Sequence, residues 1–168
     1  FLVDLSSYDL EEMQKGNDIV IKATPTEDKN KIKIEIKLNL ISKDEFSSLI
    51  QEYASYKRSI QGCSQKTVDE YLLDLRTFFR YLIARENDIP FQSEEFLKID
   101  IKGIGLETLG KIHAEDLYDY LTYITDDREN QWCARARKLS AIRSLYKYLV
   151  NKRHYLEYNP TTDIDSHK

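Results

Sequence analysis

The residues whose types and spacing best suit chemistry lie between Gln131 and Lys152, QWCARARKLSAIRSLYKYLVNK. Projected as a helix at roughly 100° per residue, Ala136, Ser140 and Ser144 share a flank with Arg137, Arg143 and Lys147. Small side chains interleaved with long cations let a helix backbone approach a polyanion while the cations hold it. The window from Arg128 to Arg153 carries eight Lys and Arg against one acid, Glu129, a net +7. The whole chain is −4, so the remainder is −11. Opposite signs in two parts of one chain point to a dedicated anionic partner, of which DNA is the commonest. The competing reading of the same residues is a solvated charged face that binds nothing.

Other chemistry finds no support in the spacing. His113, His154 and His167 sit in no metal-ligand pattern and beside no acid or thiol in a motif. Cys63 and Cys133 are far apart, with no CxxC, which predicts a reducing compartment, no disulfide and no zinc. No glycine-rich phosphate loop is present, and no pair of acids or Tyr is placed by spacing. The expectation is therefore a chain with no catalytic constellation, no cofactor, no metal and no small-molecule substrate. No apolar run approaches the roughly 18 residues a membrane span needs, and no secretory segment is evident. A cytoplasmic protein is expected, and a start at Phe1 rather than Met suggests a piece of something longer.

The elements that must position the basic flank are mostly helices. Its helix carries an apolar stripe at Trp132, Leu139, Ile142, Leu145, Tyr146 and Leu149. A second helix opens at Ser64, its N-cap, and runs through TVDEYLLDLRTFFRYLIARE. Val68, Leu72, Leu75, Phe79 and Leu82 form its buried stripe, with Tyr71 and Phe78 on the edge. Lys66, Arg76, Thr77 and Arg80 project from another side and suit a second jaw of one groove. Ser42 with Glu45 three residues later is a capping box for an earlier helix bearing Phe46, Leu49, Ile50 and Tyr53. Gly62 closes that helix. A further helix begins at or just before His113, with Leu117, Tyr120, Leu121 and Ile124 buried and Glu115 and Asp116 in its first turn. The connection from Asn87 to Gly110 is long enough to need structure of its own, with Phe96, Ile99, Ile101 and Ile104 packing on the bundle. The tail TTDIDSHK reads as a linker with nothing to pack.

The first 41 residues differ in kind. Ser7 to Lys15 suits a short helix or turn. Asp18 to Ala23 is apolar, PTEDKN is turn-rich, and KIKIEIKLNL alternates strictly over ten residues. That predicts a β-hairpin, which needs a partner surface because lone hairpins are marginal in water. Seven Lys against ten acids through Glu45 argue for a packing or boundary role rather than DNA contact. The expected organisation is a hairpin extension over residues 1–41 and a four- to five-helix bundle over residues 42–168.

Three segments, SQKTVDEYLLDLRTFFRYL, HAEDLYDYLTYI and ARARKLSAIRSLYKYLVNKRHYLEYNP, together resemble the tyrosine recombinase (phage integrase, Xer-type) family. The resemblance covers about Phe46 to Lys168 and is to the N-terminal core-binding, SAM-like domain. It implies half of a C-shaped clamp on double-stranded DNA, with further recombinase protomers as partners. It places Lys66, Thr67, Arg76, Thr77 and Arg80 on one DNA-facing helix. Arg137, Ser140, Arg143, Ser144 and Lys147 fall on the other. Most such contacts would go to phosphate. The family's catalytic pattern does not follow Pro160, so this chain is expected not to cleave DNA, and none of its twelve Tyr is taken for the nucleophile. A helical module that meets an acidic protein is the alternative.

Overall fold

The computed structural model describes residues 19–28, 30–38, 41–126 and 132–164. The chain divides into two compact units, residues 1–40 and 41–168.

In the first unit, β1 (Ile19–Pro25) pairs antiparallel with β2 (Ile32–Leu38). The register sets Ile19 opposite Leu38, Ile21 opposite Ile36 and Ala23 opposite Ile34, so apolar positions of the two strands coincide. The turn is closed by the Thr26 hydroxyl, which donates to the carbonyls of Asp28 and Lys31 at 2.9 and 2.8 Å. The expected segment Ser7 to Lys15 lies outside the described residues.

The second unit is mainly helical, as the stripes predict. Its elements are α1 (Ser48–Ser59), α2 (Gln65–Glu86), the single turns α3 (Glu94–Leu97) and α4 (Leu106–Leu109), α5 (Ala114–Asp126) and α6 (Trp132–Lys147). α6 continues into a π-helical turn, Tyr148–Lys152. α2 packs against α6 and α1, and α5 against α6. α2 is the central rod. Leu72, Leu75, Phe78 and Phe79 are all fully enclosed, so Phe78 belongs to the core rather than the helix edge. Each such side chain contributes about 1.5–3 kcal/mol through burial. A ring cluster of Phe78, Tyr81, Phe91, Tyr120 and Tyr123, with neighbouring centroids 4.7 to 5.2 Å apart, joins α2, α5 and the long connection. That connection supplies Phe96, Ile101 and Ile104 to the interior.

Local signals hold with three corrections. Ser64 caps α2 by accepting the Thr67 N–H at 3.1 Å. Gly62, at φ +69°, takes the left-handed step that lets the Cys63 N–H reach back to the Lys57 carbonyl at 3.0 Å. The Ser42–Glu45 pair, however, does not open α1. The Glu45 carboxylate accepts the Ser42 N–H at 3.0 Å around a single 3-10 turn, Lys43–Glu45. Phe46 then turns extended, and α1 starts after Ser47. The basic helix is not α-helical to its end, because the π-helical turn replaces its last five residues. The tail is not an unpacked linker as far as Ile164: Thr161 and Ile164 are buried, and the Tyr118 hydroxyl donates to the Asp163 carbonyl at 3.2 Å.

Candidate nucleic-acid interface

A groove of about 540 Å³ opens between α1 and α6, with α2 contributing one wall residue. Among the described residues four cations line it: Lys57 from α1, Arg143 and Lys147 from α6, and Lys152 from the π-helical turn. Ser140, Ser144, Gln61 and Asn151 add hydrogen-bonding groups, and Tyr56, Tyr71 and Tyr148 form its ring-faced sides. No carboxylate among the described residues lines it, in a chain whose net charge is −4. A concavity lined by cations and no acid favours an anionic occupant.

Local folding explains who arrives there. On α6 the residues Ala136, Ser140, Ser144 and Lys147 follow one another at spacings of three and four. The apolar residues Leu139, Ile142, Leu145, Tyr146 and Leu149 are buried on the other side. The π-helical turn carries one extra residue per turn and brings Asn151 and Lys152 onto the same wall. The Tyr53 and Ser144 hydroxyls share a 2.7 Å hydrogen bond that clips α1 to α6. Burial drives the Tyr53 phenol well above its ordinary range, the Ser144 bond opposing this only in part. Tyr148 is pushed up to about 12, first by burial and then by the charge of Glu52.

The ten residues singled out in the sequence separate into distinct groups. Ser140, Arg143, Ser144 and Lys147 come together in the groove. Lys147 is exposed, while one Arg143 nitrogen donates to the Ile164 carbonyl at 2.8 Å, tying the C-terminal segment to α6. Arg137 is beside the groove rather than in it. Its guanidinium donates to both oxygens of Asp74 at 3.0 and 3.2 Å, with the side chain still 56% exposed. Lys138 shares the same carboxylate at 3.0 Å, and both members of that pair are buried. On α2, Lys66 is exposed at the helix start, and Thr67, Thr77 and Arg80 are half-buried. The Thr77 hydroxyl donates to the Leu73 carbonyl at 3.3 Å, a bond within its own helix.

Arg76 is a correction. It is 4% exposed, and its guanidinium donates to both Glu45 oxygens at 3.0 and 3.2 Å. A charge this enclosed is retained because a carboxylate meets it, and it has almost no exposed surface to offer a ligand. The full +7 of the basic window is likewise not an open ridge. Arg137 and Lys138 are bound to Asp74, and Arg153 to Glu52 at 2.7 Å. Periodicity and charge along the chain do not single out Lys57, Gln61, Tyr71 and Asn151 as site residues, and Lys152 figures there only as one of the eight cations of the basic window. Lys57 lies in the last turn of α1, and only the packing of α1 on α6 brings it to the groove.

The fold and the groove together define a helical module with a cation-lined concave face among the described residues. Known proteins similar to the chain narrow this further. Over 127 residues the chain is 34% identical to the tyrosine recombinase XerC of Caldanaerobacter subterraneus subsp. tengcongensis, covering 73% of this chain and 35% of that protein. It is 31% identical over 107 residues to the tyrosine recombinase XerC of Myxococcus xanthus, covering 64% and 29%. With the tyrosine recombinase XerC of Leptospira interrogans it shares 24% over 123 residues, covering 73% and 33%. The chain belongs to the tyrosine recombinase family, to whose N-terminal region it corresponds. It spans about a third of the length of these curated relatives. No protein-family model matches the chain, and no solved structure matches it. Among the described residues no helix is long and apolar enough to cross a membrane.

Proposed function

We propose that the helical unit binds duplex DNA as the core-binding half of a site-specific tyrosine recombinase, with its groove along the phosphate backbone. The observation that carries this reading is the groove itself: four cations and no carboxylate among the described residues, on an otherwise acidic chain. Lys147 and Lys152 reach phosphate from the rim, and Arg143 grips from the wall. Ser140 and Ser144 are short enough to let the α6 backbone come close. Lys66, exposed at the start of α2, extends the contact along the duplex. Arg76 takes no part. In the whole protein, this half holds a recombination half-site for a catalytic half, and other protomers assemble on the same DNA.

The test is a fluorescence-anisotropy titration of a labelled duplex with the full chain at several salt concentrations. Replacing Lys147 and Lys152 together by Ala weakens binding to all sequences. It also lowers the slope of log K against log salt by about 1.8, at about 0.9 for each phosphate left without its cation. An unchanged affinity and slope in the double variant would falsify the assignment.

A further inference from the structure

Among the described residues of the helical unit three cations are buried: Lys57, Arg76 and Lys138. Two of them meet a carboxylate, Arg76 at Glu45 and Lys138 at Asp74. Lys57 meets none among the described residues. It is 8% exposed, and its ammonium donates to the Gln61 side-chain carbonyl at 2.8 Å and stands 4.7 Å from the centroid of the Tyr71 ring. Both contacts are to neutral groups. The other described residues of the groove that it lines include three further cations, Arg143, Lys147 and Lys152, and no acid.

An enclosed ammonium in a groove lined by further cations and no acid is unfavourable unless a negative charge completes the set. An ammonium has three donors, and Gln61 takes one. We infer that Lys57 is the floor of an anion site whose counter-charge is one phosphate group of a ligand. The other donors of Lys57 meet phosphate oxygens, and Lys147 and Lys152 close over it from the rim. Gln61 and the Tyr71 ring hold the ammonium in place until the anion arrives. This rests on the groove being the DNA-binding face and adds an anchor on α1 that neither α2 nor α6 supplies. The phosphate comes from a DNA backbone or from free phosphate, and the test separates the two.

The experiment compares Lys57→Met with wild type in the same anisotropy titration, alongside the Lys147→Ala/Lys152→Ala variant. Met keeps the length of the side chain and removes its charge. Affinity for duplex should fall about tenfold or more, the effect of losing one charge-assisted hydrogen bond. The salt slope should shrink by about 0.9, the share of one phosphate. The thermal midpoint should hold or rise, because an uncompensated buried charge has been removed. A folded Lys57→Met with wild-type affinity and slope, while the double variant is impaired, overturns the anion site and leaves the groove reading intact. If neither variant changes binding, the groove reading fails first. Should Lys57→Met not fold, Lys57→Gln answers the same question. In a second arm, inorganic phosphate competes with duplex against chloride at matched ionic strength. Excess displacement by phosphate that vanishes in Lys57→Met shows that free phosphate also enters the site the duplex uses. Equal displacement, with the reduced slope retained, assigns it to the DNA backbone.

Discussion

Replacing Asp74 by Asn should be among the most damaging single changes in the helical unit. Asp74 sits on α2, 2% exposed, and its two oxygens collect Lys138 at 3.0 Å and Arg137 at 3.0 and 3.2 Å from α6. Lys138 is as enclosed as its partner, with its side chain 6% exposed. An amide keeps the shape but removes the charge that meets the buried Lys138 ammonium and the Arg137 guanidinium. Breaking a buried pair in this way costs about 3–5 kcal/mol. For a unit of this size that corresponds to a fall in Tm of roughly 10–20 °C. Arg137→Ala removes a partner whose side chain is 56% exposed, so solvent screens most of its contribution and the loss should stay near 1 kcal/mol or less. The double variant Asp74→Asn/Lys138→Met removes both halves of the buried pair and should recover much of the stability. Urea unfolding followed by circular dichroism measures all three against wild type. An Asp74→Asn protein within about 1 kcal/mol of wild type, or a double variant no better than the single one, would refute the claim that this carboxylate neutralises Lys138 and locks α6 onto α2.

Two further outcomes follow from the same packing. Ile164→Ala should destabilise by about 2–4 kcal/mol, because its side chain is buried with the core; an unpacked tail predicts no change in urea midpoint. Acid should unfasten the start of α5 through Asp116. Burial alone would raise the pKa of that carboxyl, but the His113 N–H at 2.8 Å and Arg85 at 2.8 Å hold it below the usual carboxylate range. A depressed folded-state pKa stabilises above the unfolded value of about 4, and this stabilisation is lost as pH falls below it through the folded value. Asp116→Asn should therefore flatten the decline of unfolding free energy below about pH 4; an identical acid limb counts against the assignment.

The sequence alone determined the mainly helical character of the part that begins at Ser42, the stripes that face the core, and the Ser64 cap. Those are local properties: Ser64 bonds an N–H three residues on, and the glycine at 62 supplies a backbone angle that other side chains resist. It also showed where positive charge gathers, and the segments that resemble tyrosine recombinases. Only tertiary structure decided which cations still face outward. Arg76 lies one turn from the half-buried Arg80, and Arg137 lies beside the exposed Cys133 and Ser140, yet carboxylates 31 and 63 positions away claim them. Lys57 belongs to a helix whose sequence marks no basic face, and it reaches the groove because α1 packs beside α6. Charge neutralisation depends on distance in space, which no spacing along the chain encodes, whereas periodicity and capping act within one turn and can be read directly.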